Sequence, residues 1–281
     1  MKLLSYGLDR RMEPRLAFSL RGYAVDVMRA SLWMKEDRNA QDFLNLPSSL
    51  RLSLEDWGRS FGLLKDLEEA FTSLAFENLS VYKRPVAMPE SDIMFFPPIS
   101  DPPSIRCFDS FSGLGPTVFH FGHTQTLHGH RESLYQEGLS SRGEIAAIAS
   151  ADKEGGNPQI AGYSVFNNWF DPDREGGLST GKASSLGPWF ITAEGVDTHK
   201  LGTGFSLDMQ LRINGQAQKD SRFNKMAYSF SEMLGVASET RVSAGDILAS
   251  GSPLDEPRGT KRGDRVELEI QVLGTLETTI E

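Results

Sequence analysis

Residues 207–215 read LDMQLRING, and the alternation in this stretch indicates the class of fold. Every second residue from Leu207 to Ile213 is apolar and the residues between them are polar, which predicts a strand with one buried face. Asn214 and Gly215 follow, and both tolerate the positive φ angles of a two-residue hairpin turn. The stretch therefore predicts a half-buried strand that turns back on itself within a sheet.

A second strand and a helix are predicted downstream. The sequence alternates in the same way from Val266 to Val272, after a turn at Gly263 and Asp264. Between the two strands, residues 226–239, MAYSFSEMLGVASE, place large apolar side chains on one face of a helix. The order of strand, turn, helix and strand indicates an α+β fold in which helices pack against a mixed or antiparallel sheet.

The first part of the chain has a different pattern. Apolar residues recur at steps of three and four from Leu54 to Ala75, which predicts an amphipathic helix with one buried stripe. Proline becomes frequent between Pro85 and Pro103, where fixed φ angles and missing N–H donors predict a pause in regular structure. We therefore predict a small N-terminal α+β domain over residues 1–85 and a larger C-terminal domain over residues 86–281.

Composition argues against two classes of partner. The chain has 281 residues and a formal net charge of -9, which repels phosphate backbones, and no cluster of Lys and Arg offsets it locally. No apolar run approaches the roughly 20 residues that span a bilayer, so we expect neither nucleic acid nor a membrane as partner. The single cysteine, Cys107, excludes an internal disulfide and suits a reducing compartment, and we expect a cytoplasmic protein.

Six blocks of sequence carry a family resemblance. The central block, residues 161–191, reads AGYSVFNNWFDPDREGGLSTGKASSLGPWFI. The five others are PPSIRCFDSF (102–111), VFHFGHTQTLHGH (118–130), GEIAAIAS (143–150), VSAGDILASGSP (242–253) and KRGDRVELEIQVLGTLE (261–277). In content and in order these blocks resemble the fumarylacetoacetate hydrolase superfamily. The N-terminal segments MKLLSYG and RLAFSLRGYAVDV resemble the small accessory domain with which such enzymes begin.

The resemblance implies both a fold and a chemistry. It implies a C-terminal domain built as a twisted roll of mixed β-sheet, and a homodimer. Such enzymes hold Mg²⁺ or Mn²⁺ on carboxylates, where the cation chelates the substrate oxygens and stabilises an enolate. They cleave a carbon-carbon bond in diketo acids or decarboxylate keto acids, so the implied partner is a small anionic keto or diketo acid.

The positions that hold the cation in the family carry mostly other residues here. The resemblance places three carboxylate positions on Cys107, Arg142 and Asn168, and only Glu144 is still an acid. The family's general-base histidine falls near Leu114, in a segment shortened to SGLGP. Arg142 would repel a cation, and one Glu with one amide gives too few ligands for Mg²⁺. We therefore expect no metal cofactor and interpret the chain as a divergent member with altered metal-ligand positions.

The same positions supply the candidate site residues. We predict Lys182 and Glu144 as catalytic residues. As substrate-binding residues we predict Arg142, Asn168, Ser252 and His120. Arg142, paired with Glu144 and assisted by Lys182, would hold an anionic ligand without a metal. Two alternatives remain: Arg142 and Glu144 form a surface or interface ion pair, or Ser252 serves only to form a turn.

The sequence is also compatible with two other chemistries. The histidines His120, His123, His128 and His130 have HxxH and HxH spacings that could converge on Zn²⁺; the alternative is a set of polar strand and loop residues. Cys107 fits a small buried hydrophobic residue, and the alternative is a thiol nucleophile assisted by a nearby histidine.

Two functions stay open on the sequence. The first is a hydrolase of the superfamily that acts on a small keto or diketo acid with a remodelled site, since the GK, SLGPW and GSP segments are all present. The second is a non-catalytic pseudoenzyme that keeps the fold as a ligand-binding or protein-interaction module, since three of the four cation positions have changed.

Overall fold

Helices form a minor part of the structure. The computed structural model describes residues 1–151, 156–174, 182–254 and 259–281. Within these ranges the α-helices are α1 (Val27–Arg38), α2 (Leu50–Leu54), α3 (Trp57–Phe71), α4 (Ala193–Asp197) and α5 (Phe230–Ala237). Short 3-10 helices lie at Asp42–Asn45, Glu90–Asp92, Thr124–Thr126 and Phe223–Lys225. None of the described helices is long and apolar enough to cross a membrane.

Strands form most of the regular structure. Up to residue 139 they are β1 (Lys2–Gly7), β2 (Arg15–Leu20), β3 (Tyr23–Asp26), β4 (Ser80–Val81), β5 (Arg84–Pro85), β6 (Ala87–Pro89), β7 (Met94–Phe96), β8 (Ile105–Phe108), β9 (Phe119–Gly122), β10 (Leu127–His128) and β11 (Glu132–Leu134). Beyond it they are β12 (Ser140–Ser150), β13 (Gln159–Phe170), β14 (Ala183–Thr192), β15 (Lys200–Leu201), β16 (Gly204–Phe205), β17 (Asp208–Ile213), β18 (Gln216–Arg222), β19 (Ile247–Ala249), β20 (Arg265–Ile270) and β21 (Gly274–Ile280).

Two large sheets contain most of these strands, while β4 pairs with β5 and β15 with β16 in two-stranded sheets. A 12-stranded sheet runs in the order β6-β3-β2-β1-β14-β13-β12-β19-β8-β9, with β10 beside β14 and β7 beside β1. The β8–β19 and β10–β14 pairs are parallel and the rest of this path is antiparallel, so the sheet is mixed. A 5-stranded sheet follows the order β11-β21-β20-β17-β18. The predicted α+β class is confirmed.

The N-terminal strands extend the larger sheet. Lys2 of β1 pairs with Ile191 of β14, and the strands β2, β3 and β6 follow β1 in this order toward the edge of the sheet. The division of the chain at residue 85 stays a prediction.

The elements with clear periodicity are confirmed, with shifted ends. Strand β17 turns at Asn214 and Gly215, whose φ angles are +53° and +75°, and pairs with β18. Helix α5 begins later than the pattern predicted, because Ser229 accepts a hydrogen bond from the N–H of Glu232 and forms a capping box with it. The helix predicted from Leu54 to Ala75 is α3, which begins at Trp57 and ends at Phe71, and Leu54 is the last residue of the separate helix α2.

The prediction of a pause between Pro85 and Pro103 is wrong in part. Strands β6 and β7 lie in this segment and pair with β3 and β1. The reason is position in the sheet: β6 is an outermost strand, where the missing N–H of a proline such as Pro89 removes no ladder hydrogen bond from a neighbour.

The central strands β12, β13 and β14 lie between two apolar layers. On one face, Ile148 of β12 belongs to a core that includes Leu64 of α3. On the opposite face, Ile145 belongs to a core that includes Met233 of α5. A strand covered on both sides is apolar along its length, so the polar residues near the start of β12 mark a place where the apolar covering ends.

Candidate functional site

A cleft of about 650 Å³ opens at the start of β12. Strands β8, β9, β12 and β13 and the segment after β19 contribute its walls. Its polar lining consists of Cys107, Asp109, Ser112, His120, Arg142, Glu144, Asn168 and Ser252. We call this space the cleft.

Strand register brings these side chains together. Arg142 is the direct partner of Asn168 across β12 and β13, and Glu144 lies two residues from Arg142 and so on the same face of its strand. Across β8 and β9, Cys107 is the direct partner of His120. The strand order β13-β12-β19-β8-β9 then places both pairs at one end of one sheet.

Glu144 is the buried acid of the cleft. Its residue surface is 2% exposed, and its Oε2 accepts a hydrogen bond of 3.0 Å from the backbone N–H of Gly251. Burial raises the pKa of the Glu144 carboxyl to about 7, against the opposing effects of the hydrogen bonds from Gly251 and the Asn168 side chain and of the Arg142 charge. A carboxyl with this pKa exists in both protonation states near neutral pH.

Gly251 is required where it lies. Its φ angle is +78°, and an added Cβ would come within 2.8 Å of the Asp109 Cα. A side chain at this position would therefore push apart the two segments that carry the donor to Glu144 and the Asp109 carboxylate.

Arg142 presents a cation that no residue in the described part of the chain neutralises through an ion pair. Its guanidinium carbon lies 4.2 Å from the centroid of the Phe170 ring, a favourable cation–π contact. The described residues offer it no hydrogen bond and no ion pair, and the expected pairing with Glu144 is not formed. The Glu144 carboxylate already accepts from Gly251 and Asn168, so the guanidinium N–H groups stay available to a ligand.

His120 and Cys107 line the cleft without charge. Burial and the nearby charge of Arg142 lower the pKa of His120, so its imidazole is neutral at pH 7. Cys107 is 3% exposed, and burial together with the Glu144 charge raises the pKa of its thiol well above the ordinary range. A thiol held in the protonated form is a poor nucleophile, which favours the buried-hydrophobe interpretation of Cys107.

Two predicted site residues have partners of their own. Lys182 lies just before β14 and forms an ion pair with Asp171, and it is not among the residues that line the cleft. Ser252 does line the cleft, while its Oγ accepts a hydrogen bond of 3.2 Å from the N–H of Leu254. The turn role and the cleft position of Ser252 therefore coexist.

The four histidines do not gather at one point. His120 lines the cleft, whereas His128 and His130 line a different pocket beside Phe95 and Glu132. The Nδ1 of His130 accepts a hydrogen bond of 3.1 Å from the N–H of Glu277, and burial lowers the pKa of His130 to about 3. Among the residues that the structure describes, no group of three or more His, Cys, Asp or Glu is arranged to hold a metal ion.

A larger cavity, of about 770 Å³, lies beside α5. Its charged groups already bond to one another: the hydroxyl of Tyr163 donates to Asp197 at 3.2 Å, and Lys200 pairs with Asp197 at 3.0 Å. The cleft holds a cation that has no ion-pair partner among the described residues and an acid with a pKa of about 7, so the cleft is the stronger candidate site.

Sequence reasoning missed two residues of the cleft, Asp109 and Gly251. Asp109 lies just after β8, and its negative charge raises the pKa of both Glu144 and His120. The signal for Gly251 was present, since a glycine close to the end of an apolar strand often marks a close approach of two backbones.

Comparisons with known proteins agree with the fold and the motif order. Residues 115–281 match the family model described as fumarylacetoacetate (FAA) hydrolase C-terminal. The chain is similar to oxaloacetate tautomerase YisK of Bacillus subtilis (strain 168), at 24% identity over 178 residues, 57% of each chain. It is also similar to an uncharacterized protein of Archaeoglobus fulgidus, at 29% identity over 54% of this chain and 64% of the relative. The alignments thus span less than two thirds of the length of either relative.

Solved structures resemble the whole chain. The crystal structure of maleylpyruvate hydrolase from Sphingobium sp. SYK-6 superposes with a TM-score of 0.72 at 18% identity, over 100% of this chain and 99% of that one. The same enzyme in complex with manganese (II) ion and pyruvate gives 0.71 at 19% identity, over 100% and 98%. At this identity the likeness concerns the fold. The homodimer expected from the resemblance stays a prediction.

Proposed function

Since the chain belongs to the fumarylacetoacetate hydrolase superfamily, we propose that it binds a small anionic keto acid in the cleft and shifts a proton on it without a divalent cation. The observation that carries this proposal is the guanidinium of Arg142, which has no ion-pair partner among the described residues, beside a buried carboxyl, Glu144, whose pKa is about 7.

Arg142 would bind the acid group of the ligand. A guanidinium has five N–H donors in a planar fork, which matches a carboxylate with two parallel hydrogen bonds. The carboxylate and keto oxygens of a 2-keto acid are adjacent, so one guanidinium reaches both. Contact with the Phe170 ring holds the guanidinium plane in place before the ligand arrives.

Glu144 would move the proton. Its ionised carboxylate takes a proton from the carbon next to the keto group, the released electron pair forms the carbon-carbon double bond of an enolate, and the keto oxygen gains the negative charge. Arg142 and the Asn168 amide stabilise that oxygen, and the protonated Glu144 then delivers its proton to the oxygen, which gives the enol. In D₂O, a Glu144 carboxyl that has exchanged its proton with solvent returns a deuteron to the carbon in the reverse step. A base acts best when its pKa lies near the working pH, and the pKa of Glu144 meets this condition.

The donor set does not fit Mg²⁺ or Mn²⁺. These hard cations prefer several carboxylate or carbonyl oxygens, whereas Cys107 presents a protonated thiol and Arg142 a positive charge. The Glu144 carboxylate is already hydrogen-bonded. We therefore assign no step to a metal.

Hydrolysis is less well supported than a proton shift. It requires a second group that activates water, and the position at which the resemblance places a histidine carries Leu114, an apolar side chain at the cleft. The relative YisK is named an oxaloacetate tautomerase, a reaction that needs only proton movement on a keto acid.

One observation favours a second function, a non-catalytic ligand-binding module. Glu144 is 2% exposed and accepts hydrogen bonds from Gly251 and Asn168, an arrangement that also suits a purely structural acid. Binding without turnover would then be the whole function of the cleft.

Deuterium exchange tests the proposal. The full chain, treated with EDTA, is incubated in D₂O with pyruvate, and proton NMR follows the loss of the methyl signal. We expect exchange above the buffer rate without added metal. Glu144→Gln should lower the exchange rate about 100-fold with pyruvate binding retained, because it removes the base and keeps the shape.

Binding is measured separately by calorimetry. Arg142→Met should weaken pyruvate binding at least about 10-fold, whereas Arg222→Met, which removes an exposed arginine paired with Asp208, should leave it unchanged. Exchange that appears only with Mn²⁺ contradicts the metal-free mechanism. Binding through Arg142 with no exchange in any condition favours the binding module.

A further inference from the structure

We propose that the ligand of the cleft is a 2-keto acid with one carboxylate and an apolar tail of about the size of a phenyl ring, rather than a dicarboxylate. This inference rests on the proposed function and adds the substrate class. Two independent observations carry it: the charges that line the cleft and the exposed apolar side chains that line it beside them.

The charges admit one carboxylate. Arg142 is the one cation that lines the cleft in the described part of the chain, and Asp109 and Glu144 contribute two acids. Lys182, the other cation expected from the sequence, is paired with Asp171. His120 is neutral at pH 7, because burial and Arg142 lower its pKa. A second carboxylate on the ligand would meet Asp109 with no cation to balance it.

Apolar residues also line the cleft: Phe108, Phe111, Leu114, Val118, Phe119 and Leu254. Phe108 is 2% exposed and packs against Phe119, with ring centroids 4.9 Å apart, as part of the core. The apolar surface open to a ligand therefore lies around Leu114 and Val118. Leu114 and Val118 are 52% and 53% exposed, so apolar surface at the cleft faces water. A tail that covers these side chains would remove that surface from water, which is favourable.

The cleft has room for such a tail. Its volume is about 650 Å³, which lies within the range of pockets that hold small ligands. Pyruvate bound at Arg142 would leave the exposed apolar side chains of Leu114 and Val118 uncovered, whereas a phenyl-sized tail reaches farther along the cleft.

The test compares ligands on the EDTA-treated full chain by calorimetry. Pyruvate, phenylpyruvate and oxaloacetate are titrated in turn at pH 7. We expect phenylpyruvate to bind at least about 10-fold more tightly than pyruvate, and oxaloacetate to bind more weakly than either. Asp109→Asn should reduce the ratio of the dissociation constants of oxaloacetate and pyruvate about 10-fold, because it removes the charge that repels the second carboxylate. The variant keeps the side-chain oxygen that accepts a hydrogen bond from the N–H of Phe111.

The apolar lining is tested on its exposed residues, whose replacement does not disturb the core. The double change Leu114→Ser and Val118→Ser should weaken phenylpyruvate binding about 5- to 10-fold and leave pyruvate binding unchanged. Leu201→Ser, at a residue that is 53% exposed and outside the cleft, is the matched control.

The outcomes separate this inference from the proposed function. Failure of all three keto acids to bind, or binding that Arg142→Met does not weaken, overturns the proposed function. Binding that needs Arg142 but is as tight for oxaloacetate as for phenylpyruvate overturns this inference alone.

Discussion

Arg106 and Arg142 lie on strands of the same sheet and have opposite surroundings. Arg106, 3% exposed, donates to the carbonyl oxygens of Ala237 at 3.0 Å and Arg241 at 2.6 Å. Its guanidinium also lies 3.7 Å from the buried carboxylate of Asp246. Arg142 contacts the Phe170 ring and has no hydrogen-bond acceptor among the described residues.

The difference separates a structural cation from a binding cation. The groups around Arg106 satisfy two of its nitrogens and its charge, so it joins β8 to the segment after α5 and has little left to offer a ligand. Arg142 is held by a ring, which orients the guanidinium without using its donors. An arginine held in this way is suited to recognise an anion that arrives from solution.

The largest expected effect is on stability, at Arg106. Arg106→Met should lower the free energy of unfolding by about 4 kcal/mol, because it leaves the Asp246 carboxylate buried without its cation. Arg142→Met should change it by less than about 1 kcal/mol, because no described acceptor loses a donor. Urea denaturation followed by circular dichroism measures both variants. Equal losses in the two variants would remove the distinction between them.

The sequence predicted the elements that depend on local pattern. The hairpin of β17 and β18 follows from alternation and from Asn214-Gly215, and α5 follows from its apolar face and its Ser229 cap. These features need only neighbours within a few residues. The strands between Pro85 and Pro103 were missed, because their pairing with β1 and β3 is a property of the sheet and not of the segment.

The site was predicted in its positions more than in its interactions. Motif order indicated Cys107, His120, Arg142, Glu144 and Asn168, and the structure brings them to one cleft. The sequence did not indicate that Phe170 holds Arg142 or that Asp171 pairs with Lys182. Which of several nearby groups a long side chain contacts depends on three-dimensional competition, which spacing along the chain does not reveal.

The second largest effect is the pH dependence of stability that Glu144 causes in the cleft beside Arg142. Glu144 has a raised pKa, about 7 against the ordinary 4.5, so the folded protein keeps a proton that the unfolded chain has lost between these values. Stability then falls as pH rises through this window, by about 3 kcal/mol in total. Below about pH 4.5 Glu144 is protonated in both the folded and the unfolded state, so it costs no stability. Above about pH 7 it is ionised in both states, and the whole loss of stability has occurred.

Glu144→Gln should remove this dependence, because glutamine does not ionise. Urea denaturation at pH 4.5 and pH 8 gives the difference in free energy of unfolding between the variant and the wild type. We expect this difference to shift in favour of the variant by up to about 3 kcal/mol between the two pH values. Glu239→Gln, at an exposed position, is the matched control and should show no such gain. If the difference in stability between Glu144→Gln and the wild type is the same at both pH values, Glu144 ionises normally and the proposed reaction lacks a base with a pKa near neutral pH.

The smallest effect is expected at Lys182, which tests the comparison with a third cation. Its side chain is 28% exposed and is paired with Asp171, so it resembles Arg106 in having a partner and Arg142 in lying near the surface. Lys182→Met should lower the free energy of unfolding by less than about 1 kcal/mol, as for other partly exposed ion pairs. Lys65→Met, which breaks an exposed pair with Glu194, is the matched control.

Keto-acid binding decides what Lys182 does. We expect Lys182→Met to leave the affinity for pyruvate within about twofold of the wild type, since Asp171 already neutralises the ammonium group. Calorimetry on the same preparation as Arg142→Met makes the two losses directly comparable. A loss as large as that of Arg142→Met would show that the ammonium leaves Asp171 for the ligand, and the rule that a paired cation is a structural one would then fail at Lys182.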